Sequence, residues 1–173
     1  MAGMMDQHWL QPDWDPGLTI AHLALSHLTA QGIEAVVLDV DRTLLPGRDL
    51  KLPEPVRVWL MDAKQRFALH LFSNNPSHSR IAAVADQLDV TFTAAAGKPR
   101  RGALRRVLAD LDLPVDRVAM VGDRLFTDVL CGNRLGLYTV LVRPVRSDGT
   151  ACSQDRVQRL ERTLAGWMGA PKA

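Results

Sequence analysis

Apolar residues occur along the chain in two kinds of stretch: short continuous runs, and longer segments with helical spacing. The run at 35–38 is apolar at every position, which is typical of a strand buried on both faces of a sheet. Later runs of similar length end at glycine or at short polar residues. Strands are therefore predicted at 35–38, 67–72, 90–94, 118–121 and 138–142.

Between these runs, apolar residues recur at every third or fourth position, which is the spacing of one helical face. The last such stripe places Val157, Leu160, Leu164 and Trp167 on one side. Pro76 fits the first turn of a helix, where its missing N–H is not needed. Helices are therefore predicted at about 18–30, 54–66, 76–88, 98–111, 125–135 and 153–168.

The alternation of strand and helix predicts the fold class. Parallel strands joined by right-handed crossovers are its usual outcome. We expect an α/β fold of the Rossmann-like type, a three-layer sandwich around a central parallel sheet of about five strands. No linker is long enough to separate two units, so residues 1–173 are expected to form one domain, with an irregular segment at 1–17 and a core at about 34–143.

The composition limits the class of protein and the cellular compartment that we expect. Hydrophobic residues make up 47% of the chain, which argues against disorder. The net charge is +2, and residues 1–41 contain no lysine or arginine, unlike a secretory signal or transit peptide. No apolar run approaches the roughly 18–20 residues that span a bilayer. Cys131 and Cys152 suggest neither a disulfide framework nor a zinc site, so a reducing cytoplasm is the simplest expectation.

Two carboxylates follow the first strand with one residue between them. Residues i and i+2 of a strand point the same way, so Asp39 and Asp41 should project from one edge of the sheet. Like charges this close are unfavourable unless a cation or a shared proton relieves them. The pair therefore indicates a divalent metal or acid/base chemistry. The alternative is a strand followed by an ordinary polar turn.

Other polar residues are predicted at the same edge. Ser73 and Asn74 follow the second strand, Asp123 follows the fourth, and Lys98 opens the helix after the third. In open α/β sheets, ligands bind outside the carboxyl ends of the strands. A carboxylate nucleophile, a second carboxylate for proton transfer, and a hydroxyl and a lysine for phosphoryl oxygens form a set suited to phosphoryl transfer. A further carboxylate would help hold Mg²⁺.

In order and in position, these residues resemble the four motifs of the haloacid dehalogenase (HAD) superfamily. The motifs are Asp39-Val40-Asp41-Arg42-Thr43, Ser73-Asn74, Lys98, and Gly122-Asp123 with Asp128. The resemblance covers about residues 34–143 and implies a phosphatase rather than a dehalogenase.

The resemblance also implies a role for each residue. Asp39 would be the nucleophile and a metal ligand. Asp41 would be the general acid/base, with its carbonyl on the metal, and Thr43 would orient it. Ser73 and Asn74 would bind the phosphoryl group and Lys98 would offset its charge. Asp123 and Asp128 would complete a Mg²⁺ site. The residues themselves leave alternatives open: Ser73 could simply cap a helix, and Asp128 could pair with Arg124 or Arg134.

The spacing between motifs bears on the substrate. Members of the superfamily carry cap domains after the first motif or between the second and third. Here neither interval has room for a cap, so the site should be open, covered at most by residues 44–53. Open sites suit large or surface-bound substrates. The run from Gly122 to Val129 is similar to the capless, YqeG-type class III branch, whose members include phosphatidylglycerophosphate phosphatases. Arg124 departs from the glutamine expected there and could contact substrate phosphate or face solvent.

A phospholipid headgroup as substrate would call for peripheral membrane contact. The candidates are an N-terminal apolar group and a set of cations, which could equally be packed aromatics and a solvated helix face. They are Trp9, Leu10 and Trp14, and Lys98, Arg100, Arg101, Arg105, Arg106, Arg143 and Arg146. No aromatic residues interleave with these cations, so no nucleic-acid partner is expected. The rival hypotheses are a phosphatase for a soluble metabolite, nucleotide or phosphoprotein, and a non-catalytic binding module.

Overall fold

A five-stranded parallel sheet in the order β3-β2-β1-β4-β5 lies at the centre of the structure. The structure is a computed structural model and describes residues 9–152 and 155–168. The strands are β1 Ala35–Leu38, β2 Ala68–Phe72, β3 Thr91–Thr93, β4 Val118–Gly122 and β5 Tyr138–Leu141. All four residues of β1 are buried, as the continuous apolar run predicts for a central strand. The predicted α/β class and parallel sheet are confirmed.

Helices cover both faces of the sheet. They are α1 Leu25–Ala30, α2 Glu54–Lys64, α3 His78–Asp86, α4 Gly102–Leu111, α5 Leu130–Asn133 and α6 Arg156–Trp167. On one face, Val36 and Leu38 pack in the same cluster as Leu60 of α2. On the other face, Val37 packs in the same cluster as Leu104 of α4. This alternation of side chains along β1 produces the three layers.

The strand order places a crevice at the carboxyl ends of β1 and β4. The chain moves from β1 outward to β2 and β3, then returns to β4 on the other side of β1. This reversal is a topological switch point, where α/β proteins bind ligands. Asp39 follows β1 and Asp123 follows β4, so both carboxylates lie at this crevice. Only α2 separates β1 from β2, and only α3 separates β2 from β3, so this described part of the chain contains no cap.

Several predicted helices differ in their bounds from those observed. The helix expected at 18–30 is a 3₁₀ turn at Ile20–His22 and then α1, because Leu23 is extended (φ −68°, ψ 132°). The Leu23 carbonyl instead accepts a bond from Trp59 Nε1 at 2.9 Å. Pro76 lies before α3, whose N-cap is Ser77. The helix expected at 125–135 begins as a π-helical turn at Leu125–Val129.

The N-terminal apolar residues pack mostly against the domain. Trp14 forms a bridge with Val140 of β5 and stacks on His27 at a centroid distance of 4.0 Å. Leu10 packs against a small cluster that includes Leu125. The packing alternative therefore holds for Trp14 and Leu10, whereas residues 1–8 lie outside the described residues.

The last helix is shorter than predicted and has an unusual orientation. It begins after the N-cap Asp155, and residues 153–154 lie outside the described residues. Its inward face carries the buried residues Gln158, Glu161 and Ala165, and its apolar stripe lies in solvent. Within the described ranges, no helix has the length and apolar character required to cross a bilayer.

Candidate active site

The turn after β1 folds Thr43 back toward Asp39. Arg42 adopts the left-handed conformation (φ 70°), and the chain reverses direction there. As a result, the Thr43 hydroxyl donates to Asp39 Oδ2 at 3.1 Å and lies 3.5 Å from Asp123 Oδ1. The resemblance implied that Thr43 orients Asp41. Here its hydroxyl contacts Asp39 instead.

Asp41 lies on the more open side of the site and has its own partners. Arg80 Nη1 approaches Asp41 Oδ1 at 2.5 Å, while Asn75 Nδ2 and Ser73 Oγ donate to Asp41 Oδ2 at 3.2 and 3.4 Å. The side chain of Asp41 is about one-third exposed, at 34%, compared with 9% for Asp39. Two aspartates that are neighbours in sequence therefore occupy different environments, as two different chemical roles require.

Lys98 is the buried cation of the site. Its Nζ lies 2.6 Å from Asp39 Oδ1 and 2.7 Å from Asp128 Oδ1, and it donates to the Phe72 carbonyl at 2.9 Å. Asn74 holds the Lys98 backbone from both sides: Asn74 Oδ1 accepts from Lys98 N at 2.7 Å and Asn74 Nδ2 donates to Lys98 O at 3.0 Å. Lys98 precedes α4 instead of opening it, but it reaches the predicted edge.

The end of β4 contributes two further carboxylates. Asp123 follows Gly122 directly, and the π-helical turn at Leu125–Val129 returns Asp128 to the same place. Asp128 Oδ2 accepts a bond from the Arg124 amide at 3.1 Å. A Cβ atom at position 122 would overlap the Asp128 carboxylate, so this close approach requires glycine.

The three buried carboxylates of Asp39, Asp123 and Asp128 form a group that fits a metal ion. Each offers an oxygen, and these oxygens lie within 4.8 Å of one another. Asp123 Oδ2 and Asp128 Oδ1 are buried, and their only charged partners among the described residues are Arg42 Nε at 3.1 Å and Lys98 Nζ at 2.7 Å. Carboxylate oxygens are the donors that hard divalent cations prefer. Buried carboxylate oxygens with so few partners are what a bound cation would satisfy.

The electrostatics of the cluster favour an added positive charge. Burial, and then the charge of Asp128, raise the pKa of Asp39 to about 6 despite the opposing effect of Lys98. The same two causes, with a further contribution from Asp39, raise the pKa of Asp123 to about 8. Burial alone would lower the pKa of Lys98, but the carboxylates of Asp128 and Asp39 raise it above its usual range. Three carboxylates thus face one buried ammonium group, that of Lys98, and one partly exposed guanidinium, that of Arg42.

Helix α6 supports the carboxylate cluster from outside. Arg124 Nε lies 2.8 Å from Glu161 Oε1, and Glu161 Oε2 accepts from the Leu125 amide at 3.0 Å. Gln158 Nε2 donates to the Asp123 carbonyl at 2.8 Å. The Arg124 guanidinium is therefore engaged by α6, and Asp128 pairs with Lys98 and not with that side chain. Sequence reasoning missed Glu161 and Gln158 because nothing in their spacing distinguishes them from surface residues of an amphipathic helix.

Arg80 connects the site to the loop that follows β1. Its Nη2 donates to the carbonyls of Gly47 and Asp49 at 3.0 and 3.1 Å, while its Nη1 binds Asp41. Sequence reasoning also missed Arg80 and Asn75. Asn75 directly follows the Ser73-Asn74 motif, which is a usable signal. Arg80 is the third residue of α3 and has no such signal.

Comparisons with known proteins indicate the class of enzyme. The HAD-hydrolase-like family matches residues 95–158. The probable phosphatase YqeG of Bacillus subtilis is 28% identical over 128 residues, covering 74% of each chain. The mitochondrial phosphatidylglycerophosphatase of Saccharomyces cerevisiae is 29% identical over 152 residues, covering 79% of each chain. The chloroplastic phosphatidylglycerophosphate phosphatase 1 of Chlamydomonas reinhardtii is 28% identical, and the match spans 86% of this chain but only 59% of the algal protein.

Solved structures share the fold. An uncharacterized protein from Listeria monocytogenes superposes with a TM-score of 0.56 at 17% identity, covering 72% of this chain and 84% of the other. A hypothetical protein from Xanthomonas campestris superposes with a TM-score of 0.50 at 15% identity, covering 72% of both chains. Fold, motif order and matched relatives agree that this chain is a phosphatase similar to the HAD-like hydrolases.

Proposed function

We propose that the chain is a Mg²⁺-dependent phosphomonoesterase that works through a phosphorylated Asp39 and whose substrate is phosphatidylglycerophosphate. The observation that carries the proposal is the division between the two aspartates of the first motif. Asp39 is buried beside Lys98, Thr43 and the other carboxylates, whereas Asp41 is held at the open side by Arg80. A nucleophile needs a buried position beside groups that offset its charge, as Asp39 has. A proton carrier needs contact with substrate and water, which the open side gives to Asp41.

The proposed reaction has two steps. A carboxylate oxygen of Asp39 attacks phosphorus, the bond to the ester oxygen breaks, and Asp41 gives its proton to that leaving oxygen. Water then attacks the phosphorus while Asp41 takes one of its protons. The bond between phosphorus and Asp39 breaks, releasing inorganic phosphate and restoring both side chains. Mg²⁺ held by Asp39, Asp123 and Asp128, with the Asp41 carbonyl as a further ligand, would offset the negative charge on the phosphoryl oxygens.

The remaining site residues have supporting roles in this proposal. Lys98 offsets negative charge on Asp39 and on the phosphoryl group from 2.6 Å behind the nucleophile. Ser73 accepts a bond from the Asn75 amide at 3.0 Å, so its hydroxyl proton is free to turn from Asp41 to a phosphoryl oxygen. Asn74 keeps Lys98 in place. For Arg124 to contact substrate, its pair with Glu161 would have to open.

Three observations support a lipid headgroup as the substrate. The relatives include phosphatidylglycerophosphate phosphatases from an alga and a yeast. The described chain has no cap between its motifs, so a substrate embedded in a surface can reach Asp39. The loop after β1 also lines an open cleft of about 730 Å³, large enough for a headgroup, whose walls carry the cations Arg48 and Lys51 beside the carboxylates of Asp49 and Glu54.

The proposed setting is the reducing cytoplasm, at a membrane surface. Cys131 and Cys152 are both free thiols, as a reducing compartment requires. Burial raises the pKa of Cys131 to about 11, which leaves its thiol protonated and unreactive.

The test is a phosphate-release assay with Mg²⁺ on phosphatidylglycerophosphate, nucleotides and sugar phosphates. We expect the lipid to be hydrolysed fastest, and we expect Asp39→Asn to reduce release to background. Asp62→Asn, at an exposed position of α2, is the matched control and should retain full activity. Faster hydrolysis of a soluble ester would overturn the lipid substrate. Release that survives Asp39→Asn would overturn the aspartyl-phosphate route, and metal binding without release from any ester would favour a binding module.

A further inference from the structure

Helix α6 carries its apolar side chains on the outside of the protein. Leu160 is 58% exposed and Trp167 is 81% exposed, whereas Gln158 is fully buried. A surface helix usually has the opposite arrangement, with apolar residues inward. The apolar stripe consists of Val157, Leu160, Leu164, Trp167 and Met168, each at least 37% exposed. Such a contiguous patch is typical of an interaction surface.

Polar contacts on the inner side hold α6 in this orientation. Gln158 donates to the carbonyls of Asp123 and Val142 at 2.8 and 2.9 Å. Glu161 binds Arg124 and the Leu125 amide. Turning the apolar stripe inward would break these bonds and leave the polar groups buried without partners, at a large free-energy cost. The exposed stripe is therefore a fixed feature of the folded protein.

Cations lie beside the stripe. Arg156 and Arg159 are exposed and form no ion pair with any residue that the structure describes. Arg159 also lines, with Arg143 and Arg162, a cleft of about 400 Å³. Leucine and tryptophan on one side of a helix and arginine on the next are typical of helices that lie in the interface of an anionic bilayer.

We propose that the exposed face of α6 docks on the surface of an anionic phospholipid bilayer. The stripe enters the boundary between headgroups and acyl chains, and Arg156 and Arg159 contact lipid phosphates. A second copy of this chain is a poorer occupant. It would bring the same two arginines to the contact and no negative charge to match them.

The docked helix is joined directly to the site. Asp155, the N-cap of α6, pairs with Arg42, and Arg42 Nε lies 3.1 Å from Asp123. A bilayer held by α6 therefore lies next to the element that supports the carboxylate cluster. The link between docking and the active site rests on the proposed function, whereas docking itself does not depend on catalysis.

The test is flotation with vesicles of phosphatidylcholine alone and of phosphatidylcholine mixed with phosphatidylglycerol. The wild type should float with the mixed vesicles, and Leu160→Ser with Leu164→Ser should reduce the partition coefficient at least about ten-fold. The matched control is Val58→Ser with Met61→Ser, at two α2 positions of similar exposure, 48% and 42%. This control should bind like the wild type.

A second pair of variants tests the charges. Arg156→Gln with Arg159→Gln should remove most of the preference for phosphatidylglycerol and its dependence on salt. Arg105→Gln with Arg106→Gln, at exposed positions of α4, should retain both. If both pairs of arginine variants lost the preference for phosphatidylglycerol equally, a specific role for α6 would be overturned.

The outcomes separate docking from catalysis. Loss of flotation in the Leu160/Leu164 double variant, with unchanged hydrolysis of p-nitrophenyl phosphate in solution, would support docking. A wild type that hydrolyses detergent-dispersed lipid but does not float would overturn docking and leave the proposed function intact. A wild type that floats with the vesicles but releases phosphate from no ester would support docking and overturn the proposed function. A dimer in solution that dissociates in the double variant would assign the stripe to a second copy and overturn the proposal.

Discussion

Replacing Gly122 with alanine should disable the carboxylate cluster without changing any charged residue. Gly122 is the last residue of β4, and a Cβ atom there would overlap Oδ2, Cγ and Cβ of Asp128. The strand is paired with β1 and β5 on its two sides, so the backbone cannot give way. The Asp128 side chain must move instead, which changes its position relative to Lys98 and the other two carboxylates.

The overlap sets the expected size of the effect. Relieving it requires a displacement of about 1 Å, and a misplacement of that size in a catalytic site typically costs about a hundred-fold in rate. Overpacking in a buried site should also lower the free energy of unfolding by about 1–3 kcal/mol. We therefore expect a fall of about a hundred-fold in kcat/KM, with a higher Mg²⁺ concentration needed for half-maximal rate, in a protein that is still folded at room temperature.

Gly132→Ala is the matched control for this substitution. A Cβ atom at position 132 would crowd Thr139 and Met120, so it creates a smaller overlap in the core, away from the carboxylates. Gly102→Ala, where a Cβ atom meets nothing within 4 Å, controls for the change of residue alone. Phosphate release at several Mg²⁺ concentrations and urea unfolding should be measured for all three variants.

Two results would refute the reasoning. If Gly122→Ala keeps the activity and Mg²⁺ requirement of the wild type, then Asp128 does not need its observed position. If Gly132→Ala loses as much activity at the same loss of stability, the effect of Gly122→Ala would reflect general overpacking and not the site.

Three further predictions concern charge. The pKa values of Asp39 and Asp123 are raised to about 6 and about 8, so the folded protein binds more protons than the unfolded chain between about pH 4 and pH 8. The metal-free protein should therefore lose stability as the pH rises through this range. Mg²⁺ should raise the melting temperature more at about pH 8 than at about pH 5. Lys98→Met should lower the free energy of unfolding by about 3–5 kcal/mol in urea near neutral pH. Lys64→Met, which removes a surface pair with Asp89 and bonds to the Leu88 and Asp89 carbonyls, should cost only about 1–2 kcal/mol, and equal costs would contradict a buried cation. Arg80→Ala should lower kcat about ten-fold or more by releasing the proton-transferring aspartate, with partial recovery in Arg80→Lys, and an unchanged kcat would argue against this positioning role.

Much of the architecture was predictable because burial leaves a local pattern. A central parallel strand is covered on both faces, so 35–38 is apolar throughout, and the residue that follows it lies at the crevice. The order of polar residues after β1, β2 and β4 then predicted which side chains meet. The structure brings Asp39 and Asp123 together at that edge, with Lys98 from the segment after β3 and with Asp128, which only the resemblance to the family motifs implied.

Contacts made through space were not predictable in this way. The Thr43 hydroxyl reaches Asp39 because of a left-handed residue in the turn, and spacing alone does not reveal that conformation. Arg80 reaches Asp41 across 39 positions of sequence, from a helix whose start was predicted too early. Leu23 is extended because its carbonyl accepts a bond from Trp59, which belongs to another helix.

Helix α6 shows both what the sequence determined and what only the tertiary structure decided. The sequence by itself determined the alternating elements, the parallel sheet, the carboxylates at its edge and the apolar stripe of the last helix, because each depends on residues close together in the chain. The sequence did not determine which side of α6 faces inward. That was decided in the tertiary structure by Gln158 and Glu161, since their polar groups find partners only at the end of β4, and burying them there leaves the leucines and Trp167 outside.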